Sequence, residues 1–201
     1  KKSIQETLSN IKNSLGIPTV LINNAGIDSS PDSSAKEASR FEDYSEEQWD
    51  RVLDVNLKGV FLCSQVIGET MALNNRGSII NISSIYGIVS PDQNMYEYRR
   101  RNGEEFYKPV AYSVSKSGII NLTKYLAVYW AEKGVRVNTL TIAGVLNNQD
   151  EQFLSQYNAR IPIGRMANQD EYNGAIIFLS SAASEYMTGP NLIIDGGWTA
   201  I

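Results

Sequence analysis

Apolar positions recur along this chain at two spacings, and the alternation between them predicts its elements. Ile4, Leu8, Ile11 and Leu15 fall on one face of a helix from Ile4 to Leu15, which Gly16 and Pro18 close. Thr19-Val20-Leu21-Ile22 follows as a short apolar strand with no polar face, the pattern of a parallel strand covered by helices on both sides. Ser29 to Ser39, rich in Ser, Asp and Ala, reads as a loop. Ser45 and Gln48 have the spacing of a capping box. Behind them Trp49, Val52, Leu53, Val60, Phe61 and Ile67 lay a stripe along one long helix ending near Asn74 to Gly77. Ser78 to Ser83 is a second buried strand, and Val110 to Lys133 a helix with Gly134 as its left-handed cap. Val135 to Thr141 is a third strand, Asp170 to Ser181 a further helix, and Asn191 to Asp195 a last strand before Gly196-Gly197. Strands alternating with helices of these lengths predict an α/β fold with a doubly wound parallel sheet. No repeat, low-complexity tract or linker divides residues 1–201, so one domain is expected.

The segment from Pro91 to Pro109 breaks this rhythm. It holds Arg99-Arg100-Arg101 among Tyr96, Tyr98, Phe106 and Tyr107, and reads as a polar, aromatic insertion.

Composition narrows the chemistry. The 201 residues carry 18 Lys plus Arg against 22 Asp plus Glu, contain no histidine, and have one cysteine, Cys63. Without histidine, Ser-His hydrolysis and nearly every zinc site are excluded, and a lone cysteine forms no internal disulfide. Proton chemistry falls to Tyr, Lys, Ser, Asn, Asp or Glu. Mild acidity with scattered cations argues against nucleic acid as a partner. No apolar run approaches the length of a membrane span, no signal peptide opens the chain, and a cytoplasmic setting is expected.

Tyr112 and Lys116 stand four residues apart near the start of a helix, hence on one face. An ammonium beside a phenol favours phenolate and draws the phenol's pKa down from about 10. Taken alone, the spacing also fits two solvated side chains. Ser84 leaves a buried strand at its carboxyl end, the edge where open α/β sheets place ligands, although it could equally be a turn residue bonding its own backbone. Asn56 lies among Trp49, Leu53 and Val60, so its amide needs a buried partner, a neighbouring loop being the structural alternative. Asn23-Asn24-Ala25-Gly26 follows a strand directly, where small residues permit close approach of a ligand or a second backbone.

In order and context, Asn23-Asn24-Ala25-Gly26, Asn56, Ser84, Tyr112-x-x-x-Lys116 and Asp195-Gly196-Gly197 resemble the short-chain dehydrogenase/reductase family, from the first helix to the C-terminus. The resemblance implies an NAD- or NADP-dependent oxidoreductase on a Rossmann-type, three-layer α/β/α sheet. By position, Tyr112 would be general acid or base and Ser84 would hydrogen-bond the reacting oxygen. Lys116 would hold the ribose and tune Tyr112, and Asn56 would support a proton-relay water. Cofactor contacts are expected from Asn23, Ala25, Gly26, Tyr112, Lys116, Ala143, Gly144, Val145 and Asn147. Substrate contacts are expected from Ser84, Tyr86, Arg99, Arg100 and Arg101. The family's two long helices, here Ser45 to Asn74 and Val110 to Lys133, imply a homodimer or homotetramer.

Three departures qualify the resemblance. The family's first strand and glycine-rich turn do not occur here, so two βαβ steps, about 60 residues, are expected to be missing. Thr19 to Ile22 would then lie on an unpaired sheet edge. Ile142-Ala143 replaces the family's Pro-Gly, removing glycine's freedom at that turn, and Asn147 stands where a Thr is usual. Finally, 28 positions separate Ser84 from Tyr112, longer than the family's usual interval, and the excess is the Pro91 to Pro109 insertion. That insertion should emerge at the substrate mouth, its arginines suited to an anion. The insertion and the stretch Ile142 to Arg165 are similar to oxidoreductases of bacterial surface-sugar and flagellin modification. A small carbonyl or alcohol substrate is expected, with a sugar or nucleotide-sugar as the favoured class. A 3-oxoacyl thioester, a simple alcohol, or a non-catalytic interaction role stay open.

Overall fold

The computed structural model describes residues 1–29 and 40–201. The expected loop from Ser29 to Ser39 lies, from residue 30 onward, outside the described residues. Four strands, β1 (Val20–Asn23), β2 (Gly77–Ser84), β3 (Val135–Ile142) and β4 (Asn191–Ile194), pair in parallel in the order β1-β2-β3-β4. Ile80 of β2 aligns with Ile22 of β1 and with Asn138 of β3, and Leu140 of β3 aligns with Leu192 of β4. Each β1 to β3 connection returns through a helix, as a parallel sheet demands.

Because side chains alternate across a strand, the sheet has two distinct faces. On one, Ile79, Val135 and Val137 meet Met71, Leu126, Ala127 and Trp130 from the helical run after β1 and the helix Val110–Trp130. On the other, Ile80, Ile82 and Leu140 meet Ala175 and Leu179 of the helix Asn173–Ser180. β1 departs from the expectation of cover on both sides. Leu21 packs into the first core, while Val20 and Ile22 on the opposite face are exposed, and β1 pairs only with β2 among the described residues.

The stripe from Trp49 to Ile67 does form a continuous helical run, but not a uniform α-helix. α-Helix (Glu46–Leu53, Gly59–Cys63, Glu69–Leu73) alternates with π-helix (Asp54–Lys58, Ser64–Gly68). Ser45 caps its start by accepting from the Gln48 backbone N–H at 3.2 Å. Each widened π turn shifts the faces of the helix, and the two segments carry Asn56 and Ser64 inward. The helix expected from Asp170 begins at Asn173, with turns before it. Gly134 caps the end of the helical stretch before β3 at φ 62°, as the sequence predicts.

The insertion is not a solvated loop. It folds as a 3-10 turn (Gln93–Tyr96) and a short helix (Glu97–Arg101), and Met95, Tyr96 and Phe106 are almost wholly buried. Their rings pack against Phe153, Tyr157 and Ile85 in a separate core at the carboxyl end of the sheet. Tyr98 Oη donates to Asp150 Oδ2 at 2.9 Å, and Arg160 pairs with Asp92 at 2.9 Å, tying the insertion to the helix Glu151–Asn158.

A polar seam crosses the first face. Asn23 Nδ2 donates to Asn81 Oδ1 at 2.8 Å and to Ser64 Oγ at 3.2 Å, and Asn81 Nδ2 donates to Thr123 Oγ1 at 2.9 Å. All four residues are buried, so every lost bond leaves a group that water cannot reach. Asn81→Leu is therefore expected to cost about 2–3 kcal/mol in urea unfolding, since it orphans partners on both sides. A loss under about 0.5 kcal/mol would show that the seam contributes little.

Candidate active site

The carboxyl ends of β1, β2 and β3 open together onto one cavity of about 490 Å³. Its lining includes Asn24, Gly26, Asp28, Ser84, Tyr86, Tyr96, Lys108, Tyr112, Lys116, Gly144 and Asn147. This is the edge at which a parallel sheet leaves its loops divergent and its backbone groups free for a ligand.

The helix Val110–Trp130 delivers Tyr112 and Lys116 to this edge. It can come close because Gly87 has no side chain: a Cβ there would sit 2.7 Å from Ser83 Oγ and 2.8 Å from the Lys116 carbonyl. Ser83 Oγ donates to that carbonyl at 2.8 Å, fixing helix to strand. Lys116 is buried, and its Nζ donates to the Ile82 carbonyl at 3.0 Å while lying 5.7 Å from the Tyr112 ring centre. Burial lowers the Lys116 pKa, an effect that Asp28 counters.

Tyr112 differs from the sequence expectation. Its phenol is shifted upward from the ordinary range, first by burial and then by the negative charge of Asp28, while the neighbouring Ser84 hydroxyl draws it down. The lowering expected from Lys116 does not appear: desolvation penalises the phenolate, and the group that draws it down is the Ser84 hydroxyl rather than the ammonium. Ser84 serves as the turn residue that the sequence allowed, and it also lines the cavity. Its Oγ accepts the Tyr86 backbone N–H at 3.2 Å, capping the turn Ile85–Gly87, and its hydroxyl stands beside the Tyr112 phenol.

Asn56 is wholly buried and acts as a clamp. Its Oδ1 accepts the Ile27 N–H at 2.7 Å, and its Nδ2 donates to the Ile27 carbonyl at 2.9 Å and to Ser115 Oγ at 3.2 Å. Both amide hydrogens are thus committed to protein, the structural bond to a neighbouring loop that the sequence allowed. The bonds bind the loop after β1 to two helices at once. Gly26 sits under this clamp, where a Cβ would stand 3.4 Å from Asn56 Oδ1 and 3.5 Å from Lys116 Nζ.

Of the other expected cofactor contacts, Gly26, Ala143, Gly144, Val145 and Asn147 line the cavity, whereas Asn23 and Ala25 do not. Asn23 turns into the polar seam, and its neighbour Asn24 faces the cavity instead. The replacement of Gly by Ala143 is harmless to the backbone, since Ala143 is not among the residues with positive φ. Tyr157, which the sequence did not single out, accepts the Gly144 N–H on its hydroxyl at 2.7 Å; burial pushes its pKa up to about 12. Gln149, likewise unforeseen, bridges the turn, accepting from the Asn147 N–H at 2.7 Å and donating to the Val145 carbonyl at 2.9 Å. Neither had a signal of its own, because both act on backbone groups of the turn after β3 rather than through a motif they share.

The structure places Tyr86 in the cavity wall but not Arg99, Arg100 or Arg101. Arg100 pairs with Glu97 at 2.8 Å and donates to the carbonyls of Phe106 and Gln93. Arg99 pairs with Glu104 at 2.7 Å and lies over the Phe106 ring, and Arg101 lies 3.5 Å from Glu97 on the outside. Clustering in sequence reflected the need to hold the insertion together. The insertion instead sends Lys108 into the cavity, paired with Asp28.

The family described as enoyl-(acyl carrier protein) reductase matches residues 1–199. An NAD-dependent glycerol dehydrogenase of Listeria innocua is 31% identical, over 99% of this chain and 71% of the relative. A galactitol 2-dehydrogenase of Rhizobium johnstonii is 33% identical, over 90% of this chain and 65% of the relative, so the match spans just under two thirds of that protein. Among solved structures, a short chain dehydrogenase from Leptospira borgpetersenii with bound NAD+ is similar with a TM-score of 0.85 and 38% identity, over 98% of this chain and 71% of that one. A gluconate 5-dehydrogenase from Burkholderia cenocepacia in complex with NADP and tartrate gives a TM-score of 0.83 and 27% identity, over 100% of this chain and 72% of that one. With residues 1–199 matched and relatives above 30% identity along nearly the whole chain, the protein belongs to the short-chain dehydrogenase/reductase family.

Proposed function

We propose that this protein interconverts a carbonyl and a secondary alcohol on a sugar-derived polyhydroxy substrate, using NAD or NADP, with Tyr112 carrying the proton. The observation that supports it is the meeting of Tyr112, Ser84 and Lys116 in one cavity at the carboxyl edge of a parallel sheet. The names of the similar glycerol and galactitol dehydrogenases point to polyols and that of the gluconate 5-dehydrogenase to a sugar acid, both polyhydroxy classes. A 3-oxoacyl reductase of Thermotoga maritima is 33% identical, but a cavity lined by Ser84, Tyr86, Tyr96, Asp28 and Lys108 suits hydroxyls better than an acyl chain. The narrower surface-sugar assignment rests on the insertion and on Ile142 to Arg165 alone.

The residues present fit a dinucleotide's nicotinamide half. Gly26 presents backbone, not side chain, to the cavity, and Asn24, Lys116 and Asn147 offer donors for ribose hydroxyls and a carboxamide. When bound, the nicotinamide supplies or accepts hydride. In the reducing direction Tyr112 Oη gives its proton to the substrate oxygen, and the Ser84 hydroxyl donates a hydrogen bond to that oxygen as charge builds on it. Ser84 can do so because its oxygen, not its hydrogen, is used by the Tyr86 N–H. Asn56 is a positioning residue that holds the loop carrying Gly26. The exposed Tyr125, Val128 and Tyr129 on the helix Val110–Trp130, and Phe61 and Leu73 on the preceding run, support self-association, and the single thiol of Cys63 suits a cytoplasmic setting.

Tyr112→Phe is expected to lower kcat by about 10²- to 10⁴-fold with the fold intact, read from NAD(P)H absorbance and circular dichroism. Retention of near wild-type rate would end this mechanism. The direction of the Tyr112 shift sets the pH profile. Burial, Asp28 and Tyr157 raise the Tyr112 pKa against the lowering by Ser84, with Lys108 and Lys116 also facing the ring, and the phenol stays protonated at neutral pH. Reduction, which needs the acid form, should be flat through neutrality and fall only in the alkaline range. Oxidation, which needs phenolate, should rise with pH across the same interval. A reduction limb that falls below pH ~8 would contradict the assignment. Light scattering at micromolar concentration should give a mass at least twice that of the chain, and a monomer would refute self-association.

A further inference from the structure

The inserted segment is built to hold one side chain. The Gln93 carboxamide grips the backbone of Lys108 from both sides, Nε2 donating to its carbonyl at 3.1 Å and Oε1 accepting its N–H at 2.8 Å. Gln93 is itself held by Arg100, whose Nη2 donates to the Gln93 carbonyl at 2.8 Å while Nη1 donates to that of Phe106 at 3.0 Å. At the end of this chain of contacts the Lys108 side chain is only 7% exposed, an expensive place for an ammonium unless it is paired. Its partner is the Asp28 carboxylate, which comes from the loop after β1 on the other side of the cavity. Lys108 Nζ also donates to the Ser29 carbonyl at 3.2 Å and lies 5.3 Å from the centre of the Tyr112 ring.

Two N–H groups of the ammonium are thus directed to protein, leaving a third. Asp28 uses Oδ1 to accept the Ser29 N–H and Oδ2 to accept from Lys108, leaving acceptor sites on both oxygens. The pair is neutral as a unit, so an anionic substrate group would have to displace Asp28 or lie against it. Hydroxyl groups need no displacement: each can donate to the carboxylate and accept from the ammonium. Among the described residues the only other charged group in the cavity wall is Lys116, engaged with the Ile82 carbonyl. The arginines that might have read an anion are spent inside the insertion.

We propose that Asp28 and Lys108 form a substrate subsite that binds hydroxyl groups next to the reacting carbon, selecting an uncharged polyhydroxy substrate over an acidic one. The proposal rests on the oxidoreductase reading above and deepens it.

The test uses the native protein, Asp28→Asn and Lys108→Met, with NAD+ or NADP+, on threitol, on 2-butanol, which lacks the neighbouring hydroxyls, and on threonate, the acid analogue. Each variant is compared at the pH of its own kcat plateau, because Asp28 also acts on Tyr112. In each variant KM for threitol should rise about 10- to 100-fold more than KM for 2-butanol, the loss expected for a hydrogen bond to a charged group. The native protein should favour threitol over threonate. Equal losses on threitol and 2-butanol would mean that the pair only props the cavity. A native preference for threonate that Lys108→Met abolishes would make Lys108 an anion site. If none of the three is turned over, the oxidoreductase reading fails for this class, and calorimetric titration of threitol with the dinucleotide present decides the subsite separately. Binding weakened tenfold or more in both variants upholds it, and unchanged or absent binding to the native protein overturns it.

Discussion

The grip of the Asn56 amide on the backbone of Ile27 is the contact on which the rest of the site depends. One side chain satisfies both polar groups of a residue in the loop after β1 and reaches Ser115 on the helix that carries Tyr112 and Lys116. Three segments far apart in sequence are thereby fixed to within hydrogen-bond tolerance. A buried amide can do this only if all its groups are met, and here they are. The loop so held carries Gly26, which lies against Asn56 and Lys116, and Asp28, whose charge is felt by both Tyr112 and Lys116. Packing, position and electrostatics of the cavity therefore trace to one clamp.

A second constraint acts from the opposite side. The insertion has its own core of Met95, Tyr96 and Phe106, shared with Phe153 and Tyr157 from the segment after β3. This core closes the outer wall of the cavity and sets Lys108 against Asp28. Among the described residues that ion pair and the Lys108–Ser29 bond join the two walls, which couples the loop after β1 to the insertion across the cavity mouth.

Much of the frame was legible in the sequence because it follows from periodicity. The strands at Ser78 and Val135, the helix from Val110 and the left-handed Gly134 each depend on neighbours in the chain. Asn56 was legible because a polar group on an apolar face needs a reason, Tyr112 and Lys116 by their four-residue spacing, and Ser84 by its place at a strand's carboxyl end, all four strengthened by the family resemblance. What escaped depends on contacts between distant segments. The π turns that aim Asn56 and Ser64 have no mark in the apolar stripe, and Tyr157 and Gln149 work on backbone atoms. The three arginines misled for a physical reason: a short helix with one acidic residue in its first turn and another after its end holds its own guanidinium groups more cheaply than it can offer them to a ligand. Lys108 stood in the same segment with less to distinguish it, yet its burial is the stronger sign of use.

The central claim, that this cavity passes hydride and proton between an alcohol and a nicotinamide with Tyr112 as the proton carrier, is tested most directly by following the label. A polyol deuterated at its carbinol carbon would be incubated with the native protein and NAD+ or NADP+, and the dinucleotide examined by mass spectrometry. The account predicts one deuterium in the reduced dinucleotide, formed at least about 100-fold more slowly when Tyr112 is replaced by Phe. Reduced dinucleotide without deuterium, or equally fast labelling by the Phe variant, would contradict it.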